Sequence, residues 1–328
     1  MSSGNSFWAP PVNTDLRAET PCALALEIEE RLVRLDRRGM GWLRSAWQTG
    51  YLETAVRSML RHRARVLIIS GFPVGDTFET DGPAGALLLA SAMKRLGSEV
   101  AVLGAPGFLS QLGQAAALLN LEREVLGARD KLAEGGDPAS WLHTAVGHFR
   151  PTLVVFVEVP GVTADGNHYN MRRQNISDRT HGWEALLSLC SCPSLAFADG
   201  GNELGMGAVG TALQQLDIEP AVSATDQLVI ADVSNWGVYG AVALASAYMD
   251  RDLFPELSLW QLLEALNVSG IVDGVTGAAT PTEDGLPADH GQSLIDELRH
   301  LIGSNSDTLD SAKPPTIATP ALIPESIS

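Results

Sequence analysis

The sequence predicts an α/β protein: three layers, α/β/α, with a mostly parallel sheet preceded by N-terminal helices. Five short apolar runs carry that expectation: Val66–Ile69, Val100–Leu103, Leu153–Val157, Leu195–Ala198 and Leu228–Ala231. Helical patterns lie between most of them, the signature of parallel strands buried on both faces. Polar, glycine-bearing segments follow four of the five runs, which is where loops at strand ends would sit.

Residues 1–20, rich in Ser, Pro and Asn, are expected to form an arm without structure of its own, and residues 21–302 a single α/β domain. A first helix is expected with Thr20 as cap and Pro21 in its first turn. Its apolar stripe is Leu24, Ile28, Leu32 and Leu35, and Gly39 ends it. Glu27 with Arg31 and Glu30 with Arg34 would pair on its wet side. A second helical pattern, Leu52, Val56, Met59 and Leu60, runs into the basic stretch Arg61-His62-Arg63-Ala64-Arg65, read as a solvated helix end. Further helices are expected from Pro83 to Leu96, Trp183 to Leu189 and Val238 to Met249. Residues 303–328, dominated by Ser, Thr, Pro and Ala, read as a flexible tail. No internal repeat is found.

Composition narrows the partners. With 22 basic against 39 acidic residues, the net charge of -17 repels phosphate backbones and anionic membrane surfaces, so neither nucleic acid nor membrane is an expected partner. A small anionic substrate stays admissible, because a pocket needs only one or two local cations or a helix N-terminus. No signal sequence and no apolar stretch near the ~20 residues of a membrane span is found, so a cytoplasmic address is expected. Cys22, Cys190 and Cys192 lack structural zinc spacing and read as buried small side chains in a reducing compartment. The sequence carries no signal for oligomeric state.

Ligands of open parallel sheets bind outside the carboxyl ends of the strands. After the first run comes Ser70-Gly71-Phe72-Pro73, then Glu79-Thr80-Asp81-Gly82-Pro83, where Asp81 or Gly82 would cap a helix. Glu158 follows the third, and then Asp165-Gly166-Asn167-His168-Tyr169-Asn170-Met171-Arg172. The fourth ends in Asp199-Gly200-Gly201-Asn202-Glu203-Leu204-Gly205-Met206-Gly207, and the fifth in Asp232-Val233-Ser234-Asn235-Trp236-Gly237. A structural connection needs only one or two turn residues, so this density of carboxylates, amides and glycines points to a ligand site.

The Asp199 segment lacks dinucleotide and phosphate-loop spacing, so no nucleotide is expected. It reads either as a backbone ribbon from which Asn202 and Glu203 project, or as a tight strand-to-helix turn capped by Asp199. His168 reads at least as readily as an ordinary loop histidine as it does as a catalytic one. Trp236 reads equally as a pocket wall and as packing. Asp81, Asp165, Asp199, Glu203 and Asp232 offer hard oxygen ligands suited to Mg²⁺ or Mn²⁺. No zinc-protease, serine-elbow or cysteine-nucleophile motif occurs.

Taken in order, the Glu79, Asp165 and Asp199 segments, Ser234-Asn235-Trp236-Gly237 and Asp273-Gly274-Val275-Thr276-Gly277 resemble the D-glutamate cyclase family over roughly Gly71 to Leu301. The resemblance implies a hydro-lyase that converts D-glutamate to 5-oxo-D-proline and water without an organic cofactor. In animal members this domain follows a second one, resembling another hydro-lyase, of which this sequence shows no trace. Ring closure needs a base for the α-amine and neutralisation of the γ-carboxylate. The expected base is Glu203 or Asp199, and the neutralising group Arg172 or a carboxylate-bound divalent metal, with Asp165 supplying a further carboxylate. Asp81, Gly82, Asn167, Tyr169, Asn170, Gly200, Gly201, Asn202, Ser234, Asn235 and Trp236 are expected to line the substrate, D-glutamate or a related amino acid or carboxylate. Two other readings remain: a metal-dependent hydrolase or lyase on another carboxylate or phosphorylated metabolite, and a binding protein without chemistry.

Overall fold

The computed structural model describes residues 22–105, 107–129 and 138–304, so the expected arm and all but the first two residues of the expected tail lie outside the described residues. Helices α1 (Ala23–Leu32), α2 (Met40–Ala46) and α3 (Tyr51–Arg61) come first, followed by β1 (Arg65–Ser70) and the short hairpin of β2 (Pro73–Val74) and β3 (Thr77–Phe78). Then come α4 (Pro83–Arg95), β4 (Glu99–Leu103), α5 (Phe108–Gln111), α6 (Gly113–Leu118), α7 (Glu122–Arg129), α8 (Pro138–Phe149) and β5 (Leu153–Val157). The chain continues through α9 (Ala185–Leu189), β6 (Ser194–Ala198), β7 (Gln227–Ile230), α10 (Ser234–Met249) and α11 (Leu259–Val268). It closes with the hairpin of β8 (Thr282–Glu283) and β9 (Leu286–Pro287) and with α12 (Ala288–Ser304).

All five expected strands form, and they pair in parallel in the order β4-β1-β5-β6-β7. The chain winds outward from β1 to β4, then crosses back to β5 on the other side of β1. That reversal makes the carboxyl ends of β1 and β5 the switch point of the sheet, the place where doubly wound sheets bind ligands. β5 and β6 are buried along their whole length, as central strands with both faces covered must be.

α10 explains why its sequence shows no polar stripe. It is buried from Ser234 to Tyr248, packed on α4 and β6 and covered in turn by α1, α3 and α12. A helix that is apolar all round belongs inside. The N-terminal helices therefore lie over α10 and close the core beside the sheet. No helix among the described residues is long and apolar enough to cross a membrane.

Four local expectations change. α1 stops at Leu32 instead of running to Gly39, because Asp36 and Arg38 take left-handed backbone (φ 48° and 50°) and turn the chain; Leu35 is exposed. The cap of α1 is Cys22, whose Sγ accepts the Ala25 amide at 3.4 Å. Arg31 pairs with Glu27 at 3.0 Å, but Arg34 reaches Glu297 on α12 at 2.6 Å in place of Glu30, because α12 runs alongside. The cysteines are all free and only half-buried.

Gly82 begins α4 at φ 95°, and a Cβ there would stand 2.8 Å from Glu158 Cβ, 2.8 Å from Ser70 Oγ and 3.0 Å from the Val157 carbonyl. Both the backbone angle and the space require glycine. Gly82→Ala is expected to lower unfolding free energy by roughly 2–4 kcal/mol in urea titrations. An unchanged midpoint would contradict this close packing of α4 against the ends of β1 and β5.

Candidate functional site

The carboxyl ends of the central strands carry a group of buried acids. Glu158 follows β5, Asp199 follows β6, Glu203 lies in the loop beyond, and Glu79 and Asp81 precede α4; each is at most 7% exposed. Glu283 and Asp284, from the hairpin before α12, complete the group and are buried as well. One oxygen each of Asp81, Glu158 and Asp199 lie within 4.8 Å of one another. Glu158 holds its place in left-handed backbone, φ 47°, a strained conformation for a residue with a side chain.

Two devices hold these acids. The first is the N-terminus of α10, whose free amides face the site. Ser234 N donates to Asp81 Oδ2 at 2.9 Å and to Asp199 Oδ2 at 3.1 Å, and Asn235 N donates to Asp81 Oδ1 at 2.8 Å. Ser234 Oγ donates to Glu158 at 2.6 Å. The Asn235 side chain accepts from Gly82 N (2.9 Å) and Gly85 N (2.7 Å), tying the starts of α4 and α10 together. It also donates to Glu283 at 2.8 Å.

The second device is Arg38, in the turn between α1 and α2. Its guanidinium bridges Asp199 Oδ2 at 2.5 Å and Asp284 Oδ2, and it donates to the backbone carbonyls of Asp199 and Asp232. Asp232 fixes that turn by accepting Leu35 N at 2.7 Å and Arg37 N at 2.8 Å. Offered by the sequence as a possible metal ligand, Asp232 instead pins the turn that presents Arg38.

Burial sets the protonation chemistry. Desolvation, then repulsion from Asp284 and Asp81, lifts Glu79 well above the carboxylate range; desolvation with Glu203, Glu79 and Asp81 does the same to Glu158. Asp199 is also raised by burial despite the pull of Arg38, and Asp81 is pushed up to about 6, chiefly by burial. Glu203 is raised by burial against the attraction of Arg38 and the Gly201 amide, which donates to Oε2 at 2.7 Å.

The expected residues divide into two sets. Asp81, Gly82, Asp199, Gly200, Gly201, Asn202, Glu203, Ser234 and Asn235 are brought together and buried. The Asp165 segment lies at the rim and spends most of its polar groups on itself. Asp165 accepts from Thr163 Oγ1 (2.6 Å), Tyr169 OH (2.7 Å) and Asn167 N (2.9 Å), which lower its pKa. Asn170 accepts from Arg172 N and Gln174 N within the same turn. The segment touches the buried set where Tyr169 O accepts Asn202 Nδ2 at 2.9 Å. Exposed Arg172 reaches across to the Val275 carbonyl at 3.3 Å. Trp236 is fully buried beneath Arg34, whose guanidinium lies 5.9 Å from its ring centre, so it packs in the core. His168 is buried, with Nε2 3.6 Å from Glu184.

Sequence reasoning missed Arg38, because a basic pair inside an expected helix reads as a solvated face. It noted Glu158 without choosing it, although a carboxylate ending an all-apolar strand was a usable signal. Glu283 and Asp284 carried no periodic or motif signal.

The family described as D-glutamate cyclase-like, C-terminal, matches this chain over residues 30–299, a stretch that takes in Arg38 and every acid of the site. The human protein named D-glutamate cyclase, mitochondrial, is 29% identical in an alignment covering 72% of this chain and 46% of that protein. The chain thus spans about half the length of that relative.

Glu283 offers a clean measurement of the cost of burial. Desolvation raises it from the ordinary 4.5 to about 8, although Tyr239 OH (2.5 Å) and Asn235 Nδ2 donate to it. The folded protein therefore holds a proton that the unfolded chain releases. The associated stability is fully present below about pH 4.5 and is lost as pH rises through about 8. The unfolding free energy from urea titrations is expected to fall across that window by on the order of a few kcal/mol. Glu283→Gln should flatten this slope; a variant with the same slope would refute the assignment.

Proposed function

Because this chain belongs to the D-glutamate cyclase-like C-terminal family, we propose that it closes D-glutamate to 5-oxo-D-proline with loss of water, at the acid-lined crevice beyond β1, β5 and β6. The observation that carries the proposal is the convergence of Asp81, Glu158 and Asp199 on the N-terminus of α10, at the switch point of the sheet, with Glu203 close enough to interact electrostatically with Glu158.

In the reaction the amine nitrogen bonds to the γ-carboxyl carbon, one carbon–oxygen bond breaks, and the two protons lost by nitrogen leave on that oxygen as water. Glu203 is the base for the first proton. Its Oε2 accepts the Gly201 amide, whereas Asp199 is paired directly with the Arg38 guanidinium and the Ser234 amide. Burial raises the pKa of Glu203, which makes it a better proton acceptor at neutral pH than an exposed carboxylate. Glu79, held protonated by burial and neighbouring acids, supports return of a proton to the departing oxygen. Arg172, at the rim with one contact to a carbonyl, is placed to meet a substrate carboxylate as it enters.

The acid triad also fits a divalent cation. Its donors are hard oxygens, one from each acid lying within 4.8 Å of the others, close enough for one ion to bridge. Mg²⁺ or Mn²⁺ held by Asp81, Glu158 and Asp199 would neutralise the carboxylate under attack. Ser234, Asn235 and Arg38 would keep these acids in place.

Product formation from D-glutamate, followed by mass spectrometry, is expected to fall about 10²–10⁴-fold in Glu203→Gln. Chelation should reduce it in the unaltered protein and added Mg²⁺ or Mn²⁺ restore it. A full rate in Glu203→Gln would remove the base assignment, and indifference to chelator and metal the cation. The cyclase reading falls if the unaltered protein makes no 5-oxoproline under either condition.

A further inference from the structure

Asn202 is 1% exposed, and its Nδ2 donates to the Tyr169 carbonyl at 2.9 Å. That bond settles which way the amide faces, so Oδ1 is an acceptor, and it has no hydrogen-bond partner among the described residues. A buried acceptor left without a donor costs about 1–3 kcal/mol. A fold retains such an atom where a ligand completes it.

Its surroundings say what kind of ligand. A carbon added to Gly200 would stand 2.9 Å from Asn202 Oδ1, 2.6 Å from Glu203 Oε1 and 2.9 Å from Met171 Sδ. The two oxygens therefore converge over one bare stretch of backbone, beneath the rim loop. Both are acceptors, and Glu79 and Glu158, close enough to interact electrostatically with Glu203, are acids that bring no positive charge. A carboxylate or phosphate brings only more acceptors and more negative charge. A protonated primary amine brings three donors and a positive charge.

We propose that Asn202 Oδ1 and the Glu203 carboxylate form the recognition site for a protonated primary amine, which makes the ligand a free amino acid and rejects its deaminated or phosphorylated counterpart. The inference rests on the cyclase reading only for the identity of that amino acid. It also places the amine at Glu203 and away from Asp199.

Calorimetric titration of the full chain with paired probes tests it: D-glutamate against glutarate, and D-aspartate against succinate, each pair differing by the amine. The unaltered protein should bind at least one amine about tenfold or more tighter than its partner. Asn202→Leu should lose that preference while its affinity for the deaminated acid stays within about twofold, and Asn202→Asp, which keeps an acceptor, should retain it. Asn202→Ala replaces the leucine variant if that one does not fold. The proposal is overturned if the leucine or alanine variant weakens both members of a pair equally, as a purely structural role would, or keeps the preference. It is equally overturned if the unaltered protein prefers no amine in either pair. An amine preference confined to D-aspartate, lost in the variant, would uphold the recognition site and remove the cyclase reading.

Discussion

The structure depends on holding many carboxyl groups in one buried place with little positive charge to balance them. Glu79, Asp81, Glu158, Asp199, Glu203, Glu283 and Asp284 are all buried, and among the described residues the guanidinium of Arg38 reaches in to pair with Asp199 and Asp284. Unpaired carboxylates cannot be buried cheaply. The fold answers with oriented amides at the start of α10, with hydroxyls from Ser234 and Tyr239, and with protons retained through raised pKa values. What remains is a buried cluster short of positive charge, in which Asp81, Glu158 and Asp199 could hold a metal ion.

This constraint also accounts for parts of the architecture remote from the sheet. The turn after α1 is left-handed at Asp36 and Arg38, and Asp232 holds it by two backbone amides; together they deliver Arg38 to Asp199. α10 is buried on every side, so its N-terminal amides are rigid and shielded from water, which strengthens their hold on Asp81 and Asp199. The segment that looks like a helical preface to the domain is thus part of the site.

Much of this was legible in the sequence. The β5 run Leu153–Val157 was read residue for residue, and the other four strands to within a residue or two at each end, because buried parallel strands leave short uninterrupted apolar runs. The buried set around Asp81, Asp199, Asn202, Glu203, Ser234 and Asn235 was legible because strand-end loops with that polar density are hard to explain as turns alone. Arg38 was not, since its role follows from two left-handed residues and a distant aspartate, none of which leaves a periodic trace. The Asp165 segment shows the converse. Rich in functional groups, it places most of them in bonds to itself and reaches the buried set through Tyr169 and Met171. Its composition could not reveal that geometry.

The most direct measurement of the central claim is a crystal structure of Glu203→Gln soaked with D-glutamate and Mn²⁺, with anomalous scattering to locate the metal. The account predicts manganese among Asp81, Glu158 and Asp199, and the ligand nitrogen within hydrogen-bond distance of Asn202 Oδ1. Ligand bound elsewhere on the sheet, or the crevice closed to both under saturating conditions, would contradict it.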